Sequence, residues 1–291
     1  MTSGFLIVDK PGGVTSNQVV GAVRRVSGIK KVGHAGTLDP MATGALVMAI
    51  GQVTRLIRFV QDQPKEYVAT AEFGVATDTL DADGAILSRE PMSFSHEELE
   101  SVIPRFTGDI HQVPPMVSAL KKDGRRLYEL AREGQVIERD SRLVHVYELE
   151  IISVGPGPYP EVSFRTVCGK GTYVRSLADD MAGVLGGSAH LTALRRLRIG
   201  SLHVDRGLPL DGLDAWESYL LEPTEALDDL DAVTVTEETA LGVAHGMRFV
   251  GGEMTGAPEG RPYRVLDETG SLIAVYTRAG REARPEVVLP S

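Results

Sequence analysis

The sequence has few residues of several types on which whole classes of protein depend. One cysteine, Cys168, occurs among 291 residues, which excludes an internal disulfide bond. No group of cysteine and histidine residues has the spacing of a zinc site, and no nucleotide-binding motif is present, so we predict neither a metal nor a cofactor. A lone cysteine of this kind is typical of a small buried strand residue, which we expect for Cys168.

Long apolar runs are also absent. None approaches the roughly 20 residues that a helix needs to cross a membrane. The first residues lack the basic stretch and apolar core of a signal peptide, so we expect a cytoplasmic protein without membrane contact. The hydrophobic fraction of 42% is ordinary for a globular chain, and the length is sufficient for a large core.

Basic residues are outnumbered by acidic ones. The formal net charge is −10, which does not suit a non-specific binder of polyanions. Residues 205–238 explain this excess, because they hold eleven acidic side chains and one basic side chain. The remainder is therefore neutral, and its bases occur in pairs that predict either phosphate contacts or solvated faces. These pairs are Arg24–Arg25, Lys30–Lys31, Lys121–Lys122, Arg125–Arg126 and Arg195–Arg196.

The most informative stretch that is present covers residues 33–46. It contains one histidine, one aspartate and three glycines, and lies between apolar runs that predict strands at 5–8 and 45–50. A loop of this composition over an apolar scaffold is a usual place for reactive groups. Pro40 restricts Asp39 to extended geometry, which limits where its carboxylate points. Asp39 is therefore a candidate catalytic residue, although a local capping role also fits the pattern.

Periodicity and capping signals predict an α+β fold. Residues 16–26 predict a helix with Ser16 as its N-cap. Ser95 and Glu98 have the spacing of a capping box and predict a second helix. Further predicted elements are a strand at 162–167, a helix at 173–185 and a hairpin turn at 267–270.

The order of these elements predicts two domains. The first covers residues 1–232, and a small β-rich domain covers 233–291. Within the first domain, a basic and mostly polar insertion occupies about 116–146. An apolar helical stripe begins there at Leu127, and an ordinary surface helix would explain it equally well.

Several motifs occur in the order found in the TruB family, whose members convert uridine 55 of tRNA to pseudouridine. The segment GHAGTLDPMATGAL at 33–46 resembles the family's signature. Other segments resemble further family motifs in the expected order: Asp9–Ser16, Lys65–Tyr67 with Gly74–Thr79, Cys168–Leu177 and Ala189–Leu197. The resemblance covers about residues 4–200 and is weaker beyond them.

The resemblance implies a fold and a substrate. It implies a mixed-sheet pseudouridine synthase catalytic domain with a thumb-like insertion at 116–146, and a PUA-like RNA-binding domain at 233–291. The implied substrate is the T-arm stem-loop of tRNA, from which the target uridine is flipped into the enzyme. We expect a monomer that needs no obligate protein partner and no cofactor.

The resemblance also implies roles for individual residues. Asp39 matches the family's catalytic aspartate, which acts either as a nucleophile or by removing a sugar proton. Arg175 matches the arginine that keeps this carboxylate ionised, and Tyr67 matches the tyrosine that stacks on the uracil. The implied substrate contacts are His34, Lys10, Tyr173 and Leu194, with Lys10 supporting the catalytic loop. The candidate contacts to the RNA backbone, taken from their charge, are Lys121, Lys122, Arg125, Arg126, Arg195 and Arg196.

Two other functions remain open from the sequence. One is an RNA-binding factor that assists tRNA folding, with or without catalysis. The other is the related RNA-guided type of pseudouridine synthase, which shares the catalytic motifs and needs partner proteins. The insertion at 116–146 favours the stand-alone enzyme.

Overall fold

The structure is a computed structural model that describes residues 2–116, 121–122, 125–126 and 137–290. The chain divides into two compact units. Unit 1 comprises Met1–Asp39, Gly44–Gln63 and Ile199–Ser291, and unit 2 comprises Pro40–Thr43 and Pro64–Arg198. The predicted boundary at residue 232 is a different division and stays a prediction.

The described part of the chain contains both strands and short helices. The helices are α1 (Ser16–Ser27), α2 (Ile57–Asp62), α3 (His96–Val102), α4 (Val174–Val184), α5 (Pro223–Ala226) and α6 (Glu237–Ala244). The strands are β1 (Gly4–Lys10), β2 (Val32–His34), β3 (Thr43–Ile50), β4 (Lys65–Phe73), β5 (Val75–Thr77), β6 (Ile86–Arg89), β7 (Gly108–Gln112), β8 (Lys121–Lys122), β9 (Arg125–Arg126), β10 (Arg142–Val154), β11 (Glu161–Cys168), β12 (Ala189–Ile199), β13 (Leu202–His203), β14 (Leu208–Pro209), β15 (Ala232–Thr234), β16 (Phe249–Val250), β17 (Pro262–Leu266), β18 (Leu272–Ala279) and β19 (Glu282–Val288).

Strand β1 of unit 1 lies between two partner strands. It pairs antiparallel with β3 on one side and parallel with β14 on the other. Nearly every residue of β1 and β3 is buried, as the continuous apolar runs at these positions indicate. The strands predicted at 5–8 and 45–50 are confirmed.

Unit 2 is built on strands in the order β12, β4, β11, β10, β7. Buried and half-buried residues alternate along β4, which is the period-2 pattern of a strand with one face against a core. Cys168 ends β11 with 1% of its surface exposed, so its prediction as a buried strand residue is confirmed. Burial raises the pKa of its thiol to about 11.

The first helix begins as predicted, but its cap is a different residue. Thr15 is the N-cap: its hydroxyl accepts the N–H of Gln18, and the side-chain oxygen of Gln18 accepts the N–H of Thr15. The prediction of Ser16 as N-cap is wrong because this reciprocal pair already satisfies the helix end. The capping box of Ser95 and Glu98 is confirmed.

The predicted strand at 162–167 and helix at 173–185 are also confirmed. They are observed as β11 and α4, and Tyr173 is the N-cap residue of the helix. The glycine-rich turn between them contains Gly171 at φ 84°, a conformation that favours glycine.

The C-terminal sheet has the strand order β15, β17, β18, β19, β16 and belongs to unit 1. The predicted hairpin turn is confirmed: the Asp267 carboxylate accepts the N–H groups of Thr269 and Ser271. One face of this sheet has a core of its own. Other residues of the sheet share a core with β1 and α2; they include Leu272, Val275 and Val287.

The predicted insertion is described only in part. Strands β8 and β9 form an antiparallel pair in which Lys121 lies opposite Arg126. The stripe that begins at Leu127 lies outside the described residues. Residues 142–146 of the predicted insertion belong to β10, which pairs with β7, and the bounds of the insertion stay a prediction. No helix in the described part of the chain is long and apolar enough to cross a membrane.

Candidate active site

Asp39 lies in the connection between β2 and β3, and neither strand contains Asp, Glu, Lys or Arg. The N–H of Ala35 donates to the carbonyl of Val47 at 2.8 Å, which closes the start of this loop against β3. Gly36 has φ 102°, a value that L side chains rarely adopt, so the loop requires glycine there. Asp39 itself is half-buried. Its carboxylate is therefore carried by a loop of defined backbone shape.

Ser16 holds the residue directly before Asp39. The N–H of Leu38 donates to the Ser16 hydroxyl at 2.9 Å, and the hydroxyl donates to the Leu38 carbonyl at 3.1 Å. Ser16 and Leu38 are 2% and 3% exposed. Sequence reasoning assigned Ser16 to the helix cap and missed this contact, because no local pattern links residues 22 positions apart.

Lys10 is fully buried at the end of β1. Its ammonium group donates to the carbonyl of Pro11 at 2.8 Å and to that of Val14 at 2.7 Å. A buried ammonium is stable only with such acceptors. These bonds fix the turn that leads to α1. Support of the catalytic loop by Lys10 stays a prediction. His34 lies on β2, five residues before Asp39, is half-buried and pairs with Met48 of β3.

Arg175 is buried in unit 2 against a tight loop. Its guanidinium lies 3.2 Å from the carboxylate of Asp81 and donates to the Thr79 carbonyl at 2.7 Å. The Thr79 hydroxyl donates to the other oxygen of Asp81 at 2.5 Å. A Cβ atom at Gly84 would lie 2.3 Å from the Thr79 hydroxyl oxygen, so the loop needs glycine at that position. Asp81 was missed from the sequence, although it lies two residues after the Thr-Asp-Thr motif of residues 77–79.

Tyr173 is held through its backbone by Gln112, the last residue of β7. The side-chain oxygen of Gln112 accepts the N–H of Tyr173 at 2.7 Å, and its amide nitrogen donates to the carbonyl of Tyr173 at 3.1 Å. Gln112 is 2% exposed. The helix that carries Arg175 therefore starts from a fixed residue. Gln112 carried no signal in the sequence.

Tyr67 and Leu194 lie on the strands β4 and β12 of unit 2, with 9% and 7% of their surface exposed. Beside Tyr67, Glu66 accepts hydrogen bonds from Arg165 and Arg198, each at 2.5 Å. Desolvation opposes ionisation of Glu66, but these bonds outweigh it and lower its pKa. The negative charge of Glu66 is thus paired with two guanidinium groups within unit 2.

The predicted contacts to the RNA backbone differ in exposure. Arg196 is 1% exposed, which does not favour a contact between its side chain and RNA. Arg195 is half-buried, and one of its guanidinium nitrogens lies 3.5 Å from the hydroxyl of Thr43. The side chains of the four basic residues of β8 and β9 lie outside the described part.

The candidate residues are distributed over both units. Lys10, His34 and Asp39 belong to unit 1, and the chain passes into unit 2 at Pro40. Tyr67, Tyr173, Arg175 and Leu194 belong to unit 2. Among the described residues, no three His, Cys, Asp or Glu side chains could together hold a metal ion. The predicted independence from cofactors stays a prediction.

Comparisons with known proteins give a consistent result. Residues 24–174 match the model of the TruB family pseudouridylate synthase N-terminal domain. The protein named tRNA pseudouridine synthase B of Ralstonia pickettii (strain 12J) is 40% identical, covering 97% of this chain and 93% of its own. The protein of the same name from Leifsonia xyli subsp. xyli is 42% identical, covering 99% and 97%.

A solved structure supports the fold. A chain of the crystal structure of a Cbf5–Nop10–Gar1 complex aligns with a TM-score of 0.78 and 25% identity, over 99% of this chain and 85% of that chain. The predicted α+β fold, with a mixed sheet and a β-rich C-terminal part, is confirmed. The family model covers more than half of the sequence, and the relatives match nearly all of it. The chain therefore belongs to the TruB family of pseudouridylate synthases.

Proposed function

We propose that this enzyme converts uridine 55 in the T-loop of tRNA to pseudouridine. Relatives named tRNA pseudouridine synthase B, about 40% identical over nearly the full length, support tRNA as the substrate. The choice of uridine 55 rests on the resemblance of the 33–46 segment to the family signature. The observation that carries the chemistry is a half-buried carboxylate, Asp39, on a backbone fixed by Ser16.

The reaction is an isomerisation that balances without a co-reactant. The bond between N1 of uracil and C1′ of ribose breaks, the base turns, and C5 bonds to C1′. C5 then loses its proton, and N1 ends with a proton. Positive charge develops at C1′ when the base leaves, as in glycoside hydrolysis, and an ionised carboxylate stabilises it. Asp39 supplies this carboxylate, as a nucleophile on C1′ or by removing a sugar proton.

Tyr67, Tyr173, Leu194 and Arg175 have complementary roles in this proposal. Stacking of the flipped base on the Tyr67 ring contributes roughly 1–3 kcal/mol, and the Tyr67 hydroxyl assists loss of the C5 proton. Tyr173 and Leu194 contact the base. Arg175 favours the ionised form of Asp39 through its positive charge.

RNA binding in this proposal uses local positive charge rather than the charge of the whole chain. Lys121, Lys122, Arg125, Arg126 and Arg195 contact phosphates of the T-arm, and His34 contacts the flipped loop. Because such contacts release counterions, tRNA affinity should fall as salt rises. Replacing the four basic residues of β8 and β9 by Gln should weaken binding and flatten this salt dependence.

A second candidate function is the RNA-guided type of synthase. The observation in its favour is the similarity to a chain of a Cbf5–Nop10–Gar1 complex, which contains further proteins. We favour a stand-alone enzyme, because the relatives named tRNA pseudouridine synthase B match this chain more closely. We expect it to act as a monomer without a cofactor. The two functions differ in what must be added to the purified protein.

The test uses purified protein and an unmodified tRNA transcript, with pseudouridine mapped by position. We expect modification at uridine 55 without added protein, guide RNA or metal, and in the presence of EDTA. Asp39→Asn should bind the transcript and form no product, while Asp211→Asn, at an exposed position, should be fully active. Product that requires a guide or partner would favour the RNA-guided type. Turnover by Asp39→Asn would remove the assignment of Asp39.

A further variant tests the tyrosine. Tyr67→Phe keeps the aromatic face and removes the hydroxyl, so we expect normal tRNA binding and strongly reduced product formation. Tyr67→Leu removes the face as well and should also weaken capture of the base. Full activity of Tyr67→Phe would show that only the ring is needed.

A further inference from the structure

Ser16 has a buried hydroxyl that serves a distant segment rather than its own helix. Thr15 and Gln18 already cap α1, so the helix end does not need Ser16. A hydroxyl carries one donor and two acceptor lone pairs, which allows one oxygen to satisfy both an N–H and a C=O group. The Ser16 hydroxyl does this for both backbone groups of Leu38, at 2.9 and 3.1 Å.

Leu38 is the residue before Asp39, and Pro40 is the residue after it. The proline ring restricts the backbone of Asp39 from the C-terminal side, because it excludes helical geometry there. Ser16 restricts the same backbone from the N-terminal side through Leu38. The chain leaves unit 1 directly after Asp39. Ser16 thus bonds Leu38, one residue before the end of the first stretch of unit 1, Met1–Asp39.

The end of α1 that carries Ser16 is itself fixed to the sheet. Lys10, at the end of β1, donates to the carbonyl of Val14 at 2.7 Å, and Val14 precedes the N-cap Thr15. Lys10 is fully buried and Ser16 is 2% exposed. The hydrogen bonds of Lys10 and of Ser16, joined by the backbone of residues 14–16, therefore connect β1, the start of α1 and Leu38.

We propose that Ser16 is a positioning residue that fixes the backbone at Asp39; this role rests on the proposed catalytic function of Asp39. A carboxylate that acts on one carbon of a sugar must lie at a defined distance from it. A misplacement of about 1 Å can reduce a rate by roughly 100-fold. Ser16 is 2% exposed and is not among the proposed phosphate contacts. Loss of its hydroxyl should therefore reduce kcat and leave the KM for tRNA unchanged.

The experiment compares two serines of the same helix. Ser27, at the other end of α1, donates to the Val23 carbonyl at 2.7 Å and accepts the N–H of Ile29 at 3.2 Å. Ser16→Ala and Ser27→Ala each remove a hydroxyl that bonds two backbone groups. We expect Ser16→Ala to lower kcat about 10- to 100-fold with KM within about twofold. Ser27→Ala should keep the wild-type kcat, and Ser16→Thr, which retains a hydroxyl, should recover part of the lost rate.

Each outcome decides the inference. A wild-type kcat for Ser16→Ala overturns it, as does an equal loss in Ser16→Ala and Ser27→Ala, or an equal loss in Ser16→Ala and Ser16→Thr. If Ser16→Ala does not fold, Ser16→Cys decides in its place, because a thiol keeps the shape and weakens both bonds. Asp39→Asn is measured in parallel. An inactive Asp39→Asn with a fully active Ser16→Ala would leave the proposed function intact and remove only the role of Ser16.

Discussion

The segments around Asp39 and Arg175 are both held by buried polar side chains, but the bonds act on different parts of each residue. At Asp39, Ser16 bonds the backbone of the preceding residue. At Arg175, Asp81 contacts the guanidinium itself, and Gln112 bonds the backbone two residues earlier. An aspartate has two side-chain torsions, so a fixed backbone nearly fixes its carboxylate. An arginine has more torsions and loses up to about 2 kcal/mol of rotamer entropy when ordered, so its charged end needs a partner of its own.

The largest effect should follow from removing residues 233–291, which should destabilise the unit that carries Asp39. These residues belong to the same unit as Asp39, and Leu272, Val275 and Val287 share a core with Phe5 of β1. Each large apolar side chain removed from such a core costs several kcal/mol, which is comparable to the stability of a domain. We expect loss of cooperative thermal unfolding. A truncated protein with the original melting temperature would show that this module is an independent domain.

The next effect tests the ion pair that holds Arg175. Arg175→Met leaves the carboxylate of Asp81 buried without its charge partner and should cost about 3–5 kcal/mol of unfolding free energy. The matched control is Arg89→Met, because Arg89 and Glu72 have the same separation of 3.2 Å. That arginine side chain is 52% exposed, against 3% for Arg175, so the control should cost less than about 1 kcal/mol. Equal losses in chemical denaturation would contradict the role of burial.

A smaller effect should follow from Gln112→Ala, which removes both bonds to the backbone of Tyr173. Leaving these buried groups unpaired should cost about 2 kcal/mol, and kcat should fall because Tyr173 is no longer fixed. Gln112→Glu keeps the acceptor for the N–H of Tyr173 and loses the donor to its carbonyl. This variant should therefore lie between wild type and Gln112→Ala in denaturation midpoint. An unchanged kcat in both variants would confine Gln112 to stability.

The smallest effect depends on pH and concerns Asp180, on the same helix as Arg175. Desolvation, with the charge of Asp179, raises the pKa of Asp180 from 3.8 to about 6. The folded state then binds the proton more tightly than the unfolded state, so stability falls as pH rises from about 4 to about 6. Asp180→Asn should raise stability at pH 8 and leave it unchanged at pH 3. The gain should be less than about 1 kcal/mol, because much of the residue is still accessible to solvent, which screens the charge. Equal melting temperatures at pH 8 would contradict this.

The local features of the fold followed from the sequence because local physics determines them. Continuous apolar runs gave β1 and β3, and the spacing of Ser95 and Glu98 gave the start of α3. The N-cap of α1 was misplaced by one residue, since Thr15 and Ser16 are both good caps and only the reach of the Gln18 side chain decides between them.

The support of the site did not follow from the sequence, because it depends on distant contacts. Gln112 and Tyr173 are 61 residues apart, and Ser16 and Leu38 are 22 apart. A basic pair such as Arg195–Arg196 has the same appearance whether it faces solvent or the interior. Only the strand geometry of β12 shows that Arg196 is buried. The catalytic candidates themselves came from motifs, and their roles stay predictions.

The burial of Cys168 should make the folded protein unreactive towards thiol reagents. The thiolate is the reactive form, and a pKa of about 11 leaves very little of it at neutral pH, on a side chain that is 1% exposed. No other cysteine exists in the sequence. A maleimide dye should therefore label the native enzyme only when β11 opens. The labelling rate should then report how often this part of unit 2 unfolds. A cysteine introduced on the surface would carry a single fluorophore for tRNA binding without a background from the wild-type thiol.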